Sequence, residues 1–266
     1  MMDLFHIIVR YITNITSLLL CCGDDWSDSF LKNKEQLMTE VTAEQIDMMK
    51  DMQTCAVSNA IESLGVRPRT EGFMSPDIKS MFPTMGAMVG HAVTAVIKAS
   101  TPPSDNMNFS RVTWVDEILK IPSPRVIVMK DLDHPNVIGS FWGEVQSAIH
   151  TALDCVGVVT DGGVRDLDEM QAYEFNAFAS TQLVSRANVH LVEVNIPVNV
   201  GGVAVTPGDI LLGDKHGVIS IPRDIVSDLP SAIEKVEAGE KEIIDVCIAQ
   251  DFSPERLKDI LRKRYG

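Results

Sequence analysis

An arginine and several carboxylates follow a short apolar segment near the middle of the chain. Val156–Val159 has the composition of a strand buried on both faces, and Asp161-Gly162-Gly163 is expected to end it in a turn, because glycine adopts backbone angles that other residues avoid. Arg165 follows the glycines, and three carboxylates come next: Asp166, Asp168 and Glu169. Such a group suits an acidic metabolite and a divalent cation. The alternative is a solvated surface ion pair, worth ~0–1 kcal/mol.

A second candidate lies upstream, where Ser147–Leu153 has helical spacing of apolar residues and Gly143 stands at the expected beginning of that helix. The first turn of a helix has unpaired N–H groups and a partial positive charge, so it can hold a small anion such as a carboxylate. Glycine lets that anion approach the backbone closely. The pattern therefore predicts an anion site at the helix start.

These two candidates must be positioned by one αβ unit, since the predicted helix leads directly into the Val156–Val159 strand. In such units ligands collect at the carboxyl ends of the strands, where Arg165 lies. An anion-binding helix start, an arginine and a carboxylate metal site would together form a pocket for a small oxo acid.

Four motifs occur in one order between about Thr54 and Asp245: Trp142-Gly143-Glu144, the Gly157–Asp166 segment, the Gly201–Ile210 segment and the Gly213–Pro222 segment. With them the chain resembles the RraA-like family, whose enzyme members are 4-hydroxy-4-methyl-2-oxoglutarate/4-carboxy-4-hydroxy-2-oxoadipate aldolases. The resemblance implies an α/β fold, a layered αββα sandwich of the swivelling β/β/α type, with helices at its C-terminus.

The resemblance also implies roles for individual residues. Asp166 would anchor Mg²⁺ or Mn²⁺, largely through bound waters, and Glu169 would support those waters. Arg165 would contact the C2 oxygen and carboxylate of a pyruvyl group. Asp161 would orient Arg165 or a water, or would only hold a turn. The backbone that receives the carboxylate would be that of Gly143, Glu144, Val145 and Gln146.

In the family a glutamate from the C-terminal helix of a neighbouring subunit completes the site. Glu240 is the first candidate, followed by Glu242 and Glu237, although all three suit a solvated surface equally. This sharing implies a homotrimer, or a hexamer built from two trimers.

The function implied is that of a class II, metal-dependent lyase. It would cleave a 4-hydroxy-2-oxo acid to pyruvate, decarboxylate oxaloacetate, or do both. The motif region offers no obvious buried lysine for a Schiff base, which is consistent with a metal-dependent route. Alternatives are a related lyase, hydratase or isomerase acting on another oxo acid, and a non-catalytic regulator that binds a ribonuclease.

Composition limits the classes of partner. The chain has 266 residues, 45% hydrophobic content and a formal net charge of −14, so a sizeable core is expected and nucleic acid is excluded as a partner. The five cysteines form no C-x-x-C pair, which argues against a disulfide framework and a zinc knuckle and favours a reducing, cytoplasmic location. The six histidines are expected to be ordinary surface or turn residues.

Residues 1–35 are expected to be an N-terminal extension, and residues 36–266 the RraA-like aldolase domain. The apolar Leu4–Leu20 segment is interrupted by polar residues and is shorter than the ~20 apolar residues that a spanning helix needs. No stable membrane insertion is expected. This segment is compatible with a peripheral or poorly ordered extension. The alternative is a helix that lies on a membrane surface or covers a protein interface.

Other patterns predict the remaining elements. Thr42–Gln45 has capping-box spacing, and Thr54–Leu64 predicts a helix that stops at Gly65. Asp224–Gln250 predicts a long helix, and Ser253-Pro254 the beginning of a last one. Asp131 and Asp133, which follow the predicted Arg125–Met129 strand, are expected to be loop carboxylates, with a contribution to the site as the alternative. Asp209 and Asp214 are expected to hold backbone turns. Further strands are predicted at Gly86–Ile97, Arg125–Met129, Phe175–Ala179, Val189–Val194, Val203–Val205, Ile210–Leu212 and Val218–Ile221, and a short helix at Val115–Leu119.

Overall fold

Four parallel neighbours form the middle of the main sheet: β2 (Met88–Lys98), β3 (Arg125–Asp131), β4 (Cys155–Val164) and β5 (Asn176–Gln182). The structure is a computed structural model that describes residues 41–104 and 109–265. The predicted extension at residues 1–35 lies outside the described part. The predicted α/β class is confirmed by this parallel sheet and its helical crossovers.

Antiparallel strands extend the sheet on both sides of this centre. One edge is formed by a short strand beside β5, and the other by a hairpin whose first strand pairs with the first half of β2. A further strand pairs with the second half of β2. The strand beside β5 is β1 (Lys79–Ser80), and the strand on the second half of β2 is β6 (His190–Val194). The hairpin is formed by β9 (Ile210–Asp214) and β10 (Gly217–Ile221). A separate two-stranded sheet is formed by β7 (Val198–Val200) and β8 (Val203–Val205).

Helices fill the crossovers and the two ends of the described chain. They are α1 (Ala43–Met49), α2 (Thr54–Leu64), α3 (Arg111–Leu119), α4 (Glu144–Thr151), α5 (Leu167–Ala172), α6 (Leu229–Ile248) and α7 (Pro254–Tyr265), with a 3-10 helix at Arg223–Asp228 before α6. Buried residues of α3 and α5 share one core with β3 and β4, including Trp114, Met170, Ile127 and Val158. A second core lies between the first two helices, the β9–β10 hairpin and the start of α6. Among the described residues, no helix has both the length and the apolar character needed to cross a membrane.

The helix boundaries follow the predicted capping signals. Thr42 and Gln45 form the expected capping box of α1, and Gly65 ends α2 in the left-handed conformation at φ 67°. Ser110 caps α3 through the Thr113 amide, so α3 begins earlier than predicted. The long C-terminal helix begins at Leu229 rather than Asp224, and Pro230 lies in its first turn, where its missing N–H costs little.

The prediction that Asp161-Gly162-Gly163 breaks the strand is wrong. β4 continues through these residues to Val164, with an irregularity in its register with β5 between Thr160 and Gly163. The glycines are needed for space: a Cβ at Gly162 would lie 2.8 Å from Oδ2 of Asp131, and one at Gly163 would collide with the side chain of Leu183.

Two histidines also depart from the prediction, because His91 and His150 are buried. His150 is 0% exposed; its Nε2 accepts a hydrogen bond from the indole Nε1 of Trp114 at 2.9 Å, and its Nδ1 donates to the carbonyl of Gln146 at 2.7 Å. These bonds require the neutral ring with its proton on Nδ1. His150 therefore fixes α3 against α4.

Burial lowers the pKa of His150 from 6.5 to about 4. The unfolded chain then binds more protons than the folded chain between these values, so stability present above pH 6.5 is lost as pH falls towards 4. We expect His150 to reduce the free energy of unfolding by about 3 kcal/mol over this range. Urea unfolding of wild type and His150→Gln at several pH values measures this contribution as the difference between the two curves. His216→Gln, at a half-exposed histidine, is the control. Parallel wild-type and His150→Gln curves would contradict the assignment.

Candidate active site

The segment before α4 is joined to the end of β4. Trp142 forms a parallel bridge with Val164, and the Arg165 amide donates to the Trp142 carbonyl at 3.3 Å. The buried Ser140 hydroxyl lies 2.7 Å from the Trp142 and Gly163 carbonyl oxygens and accepts from the Trp142 amide at 3.0 Å. The beginning of α4 and the Arg165-Asp166 pair are therefore held side by side, as the αβ unit predicted.

Arg165 and Asp166 lie together at this junction. The Arg165 Nη2 is 3.5 Å from Oδ2 of Asp166, and its Nη1 donates to the Val184 carbonyl at 3.2 Å. About a third of each side chain is exposed, with values of 37% and 32%. Asp166 has a left-handed backbone, with φ 49°, directly before α5. This conformation is uncommon for residues other than glycine, asparagine and aspartate, and it directs the chain sharply into the helix.

Gly143 begins α4, as predicted, and it has an additional steric role. A Cβ at this position would lie 2.5 Å from Oδ2 of Asp166 and 3.2 Å from Cγ of Arg165. Any side chain here would displace the Asp166 carboxylate. The glycine thus allows the guanidinium, the carboxylate and the helix start to meet.

The first turn of α4 is partly occupied by Asp166 itself. Oδ2 of Asp166 accepts from the Glu144 amide at 3.1 Å. The first intrahelical bond of α4 runs from the Ser147 amide to the Gly143 carbonyl at 3.0 Å, so the amides of Val145 and Gln146 precede it and point out of the helix start. Of the backbone predicted to receive a carboxylate, Val145 and Gln146 supply the N–H groups that Asp166 does not use.

The donor set at this junction is compatible with a hydrated Mg²⁺. Both contacts of Asp166 use Oδ2, and within residues 41–104 and 109–265 no hydrogen bond uses Oδ1. Mg²⁺ commonly binds through one or two carboxylates and keeps several waters. In the same part of the chain, no group of three or more His, Cys, Asp or Glu side chains is arranged to hold a metal. Asp166 fits a cation held mainly through water, with Glu144 lining the same cavity.

Asp161 lies in a different set of contacts from Arg165. It is 3% exposed, forms an ion pair with Lys130, and accepts from the Asp131 amide at 2.8 Å. Asp131 is fully buried rather than in a loop, its Oδ2 has no partner among the described residues, and burial raises its pKa. The Asp161 carboxylate therefore links β3 to β4 in this chain, and it is not among the side chains that line the Arg165 cavity.

The other predicted carboxylates are exposed. Glu169 lies in the first turn of α5, three residues after Asp166, and outside the cavity lining. Glu240 lies on α6, where its Oε1 accepts from Asn59 of α2 at 3.4 Å, and Glu242 is 3.7 Å from Lys263 of α7. Within one described chain neither of these two glutamates, nor Glu237, lines the cavity. Their part in a neighbouring subunit's site stays a prediction.

The cavity at the junction has a volume of about 210 Å³ and contains two arginines that sequence reasoning missed. Arg111 is the first residue of α3, and Arg186 lies in the loop between β5 and β6. Ser110 is a helix-cap signal that could have located Arg111 at the first position of a helix, whereas no sequence pattern marks Arg186. A larger cavity, about 730 Å³, lies at the opposite ends of β3 and β4 and contains none of the predicted site residues.

The turn aspartates outside the site are confirmed as structural. Asp209 accepts from the Thr206 amide at 2.8 Å. Asp214 accepts from the His216 amide and also from the amide and hydroxyl of Thr54 at the start of α2. Asp133 likewise accepts from the amides of Ala99 and Ser100.

Sequence comparison finds relatives of this chain. An uncharacterised protein of Methanocaldococcus jannaschii is 33% identical over 103 residues, which are 38% of this chain and 50% of that protein. A Halalkalibacterium halodurans protein named "Putative 4-hydroxy-4-methyl-2-oxoglutarate aldolase" is 28% identical over 100 residues, 37% of this chain and 48% of that protein. The chain thus spans about half the length of these curated relatives.

Solved structures share the fold. An uncharacterised protein from Pseudomonas syringae pv. tomato superposes with a TM-score of 0.66 and 23% identity, covering 85% of this chain and 96% of that one. Streptomyces coelicolor RraAS2, described as an unusual member of the RNase ES inhibitor RraA protein family, gives a TM-score of 0.59 and 17% identity, covering 76% and 98%. The predicted RraA-like fold with C-terminal helices is confirmed.

The RraA-like family model, described as Aldolase/RraA, matches residues 54–220. This range holds β1 to β9, α2 to α5, the cavity and most of β10. The chain belongs to the RraA-like family.

Proposed function

We propose that the protein is a divalent-metal-dependent lyase that releases pyruvate from a 4-hydroxy-2-oxo acid or from oxaloacetate. The observation that supports this most directly is the junction itself. The Arg165 guanidinium, the Asp166 carboxylate and the first turn of α4 line one small cavity. A 2-oxo acid offers two oxygen-bearing groups on adjacent carbons, which suits such a compact set of donors.

In this proposal the substrate carboxylate lies at the start of α4. The amides of Val145 and Gln146 donate to it, and the helix dipole favours its charge. Arg165 donates to the C2 oxygen and to the same carboxylate, since a guanidinium presents several N–H groups in a fixed plane. Charge-assisted bonds of this kind contribute roughly 1.5–3 kcal/mol each.

Cleavage breaks the C3–C4 bond, and its electron pair forms an enolate whose negative charge lies on the C2 oxygen. In the retro-aldol direction the C4 hydroxyl loses its proton to water and C4 becomes a carbonyl. In decarboxylation C4 leaves as carbon dioxide. C3 then takes a proton from water, giving pyruvate. Arg165 stabilises the developing oxyanion, and one such preorganised donor is commonly worth a factor of about 10²–10³ in rate.

Asp166 would hold the hydrated cation, with Glu144 lining the same cavity and Glu169 in the first turn of α5. When bound, a divalent cation supplies Lewis-acid stabilisation of negative charge on the substrate oxygens. Glu144 and Glu169 are exposed side chains that can accept from metal-bound water. The family match and the aldolase name of the Halalkalibacterium halodurans relative favour this reaction class.

A coupled assay for pyruvate tests the proposal. We expect the purified protein to release pyruvate from oxaloacetate and from 4-hydroxy-2-oxoglutarate in the presence of Mg²⁺. A chelator should abolish the enzyme-dependent rate, and added Mg²⁺ should restore it. A boiled sample at the same Mg²⁺ concentration corrects for spontaneous decarboxylation. No enzyme-dependent release from either acid would reject the lyase function and favour a non-catalytic role.

A further inference from the structure

A cavity of about 430 Å³ lies between the start of α2, the loop before β1 and the turn from β9 to β10. It shares no lining residue with the Arg165 cavity. Lys79, Lys215 and His216 line it, and its described lining contains no carboxylate. In a chain with a net charge of −14, a cavity with two lysines and no carboxylate is suited to an anion.

Contacts between distant segments hold the walls of this cavity together. The loop before β1 is joined to β10, because Phe73 forms an antiparallel bridge with Ile219. The start of α2 is joined to the β9–β10 turn, because Thr54 donates to the Asp214 carboxylate through its amide at 2.9 Å and through its hydroxyl at 2.7 Å. The cavity is therefore a product of the fold.

The two lysines of the cavity are available to a ligand. Asp214, the neighbour of Lys215 in the chain, already accepts from the start of α2 and from the His216 amide at 2.8 Å. Its Oδ1 also lies 3.3 Å from Nδ1 of His216. Neither Lys79 nor Lys215 forms an ion pair or a side-chain hydrogen bond in the part of the chain that the structure describes. Their ammonium groups thus keep their full hydrogen-bonding capacity.

The remaining lining supplies hydroxyl groups and an apolar surface. The Ser58 and Ser80 hydroxyls line the cavity and form no hydrogen bond with other described residues. Phe73 is 47% exposed, while Ile78 and Val218 are buried side chains of the same lining. A half-exposed phenylalanine ring offers a face on which a planar apolar group can stack.

We propose that this cavity binds a phosphate monoester with an aromatic body. Such a monoester carries about −1.5 to −2 charges at pH 7 and three acceptor oxygens, which suits two lysines and neighbouring hydroxyl groups. Lysine binds phosphate as a point charge, whereas the paired hydrogen bonds that a carboxylate favours come from arginine, and no described arginine lines this cavity. Phe73 would contact the aromatic body. The proposal does not depend on the lyase function.

Binding of phenyl phosphate and of inorganic phosphate to the full-length protein tests the site. Titration calorimetry is expected to give a Kd for phenyl phosphate at least about 10-fold below that for inorganic phosphate, because burial of one aromatic ring is worth this factor or more. Lys79→Gln and Lys215→Gln should each weaken both ligands about 10-fold, since each removes a charged donor. Phe73→Ala should weaken phenyl phosphate about 10-fold and leave inorganic phosphate within about 3-fold.

Lys235→Gln is the matched control, because Lys235 is an exposed lysine of α6 outside the cavity. Arg165→Gln distinguishes this cavity from the Arg165 cavity and should leave phenyl phosphate binding within about 3-fold. Thermal unfolding of each variant checks that it folds. Three results would each overturn the site: no binding or equal affinity of the two ligands in wild type, unchanged binding in both lysine variants, or loss of binding in Arg165→Gln alone. Pyruvate release does not enter this test, so failure of the lyase proposal leaves its outcome unaffected.

Discussion

Asp166→Asn is expected to lower kcat/KM for pyruvate release by about 10³-fold. The substitution keeps the size of the side chain and one acceptor oxygen for the Glu144 amide, which lies 3.1 Å from Oδ2. It removes the negative charge that would hold a divalent cation and that faces the Arg165 guanidinium at 3.5 Å. Loss of a preorganised electrostatic group in a catalytic site commonly costs 10²–10³-fold, and loss of the metal adds to this.

Asp168→Asn is the matched control, because Asp168 is an exposed carboxylate in the first turn of the same helix. It should keep activity within about 3-fold. Steady-state rates at several Mg²⁺ concentrations separate weaker metal binding from loss of the charge that faces Arg165. Weaker metal binding raises the Mg²⁺ concentration needed for half-maximal rate. If Asp166→Asn keeps wild-type activity and Mg²⁺ dependence, Asp166 is not the metal anchor.

The parts of the site that could be predicted are those that local chemistry determines. Gly143 before a helical pattern predicted an anion-binding helix start, and the strand–Arg165–Asp166 order placed the guanidinium at the end of a parallel strand. Both follow from chain-local rules on helix termini and on αβ units. The structure brings these residues together, as expected.

Other features depend on contacts between distant segments. The glycines after Asp161 predicted a turn, yet β4 runs through them. Glycine is required at both positions because an added Cβ would collide with Asp131 or with Leu183, and neither neighbour is visible in the local sequence. Asp161 pairs with Lys130 across neighbouring strands, a contact that its position in the motif does not reveal.

The same limit applies to Arg111 and Arg186, the two arginines of the cavity that lie outside the motifs. Arg111 and Arg186 lie in segments without a motif, and only the packing of α3 and of the β5–β6 loop brings them to the cavity. Burial of His150 is likewise a product of the packing of α3 on α4. Sequence patterns thus located Gly143, Arg165 and Asp166, while the two further arginines of the cavity required the structure.

Gly143→Ala is expected to reduce kcat/KM for pyruvate release by about 10²-fold while the protein still folds. Its backbone is extended, with φ 176°, so alanine adopts it without strain. The added Cβ would lie 2.5 Å from Oδ2 of Asp166, closer than real Cβ contacts allow. The carboxylate must then rotate away, which breaks its bond to the Glu144 amide and moves it from Arg165. A displacement of about 1 Å in a catalytic group can cost 10²-fold.

Gly86→Ala provides the comparison for this last variant, because a Cβ at Gly86 would meet nothing within 4 Å. It should retain both activity and melting temperature. For Gly143→Ala we expect a small decrease in melting temperature and a large decrease in rate, since the clash involves a side chain that is about one-third exposed rather than the core. Unaltered kcat/KM in a folded Gly143→Ala protein would show that the Asp166 carboxylate need not occupy the position beside the start of α4, and the proposed arrangement of substrate, arginine and metal anchor would fail with it.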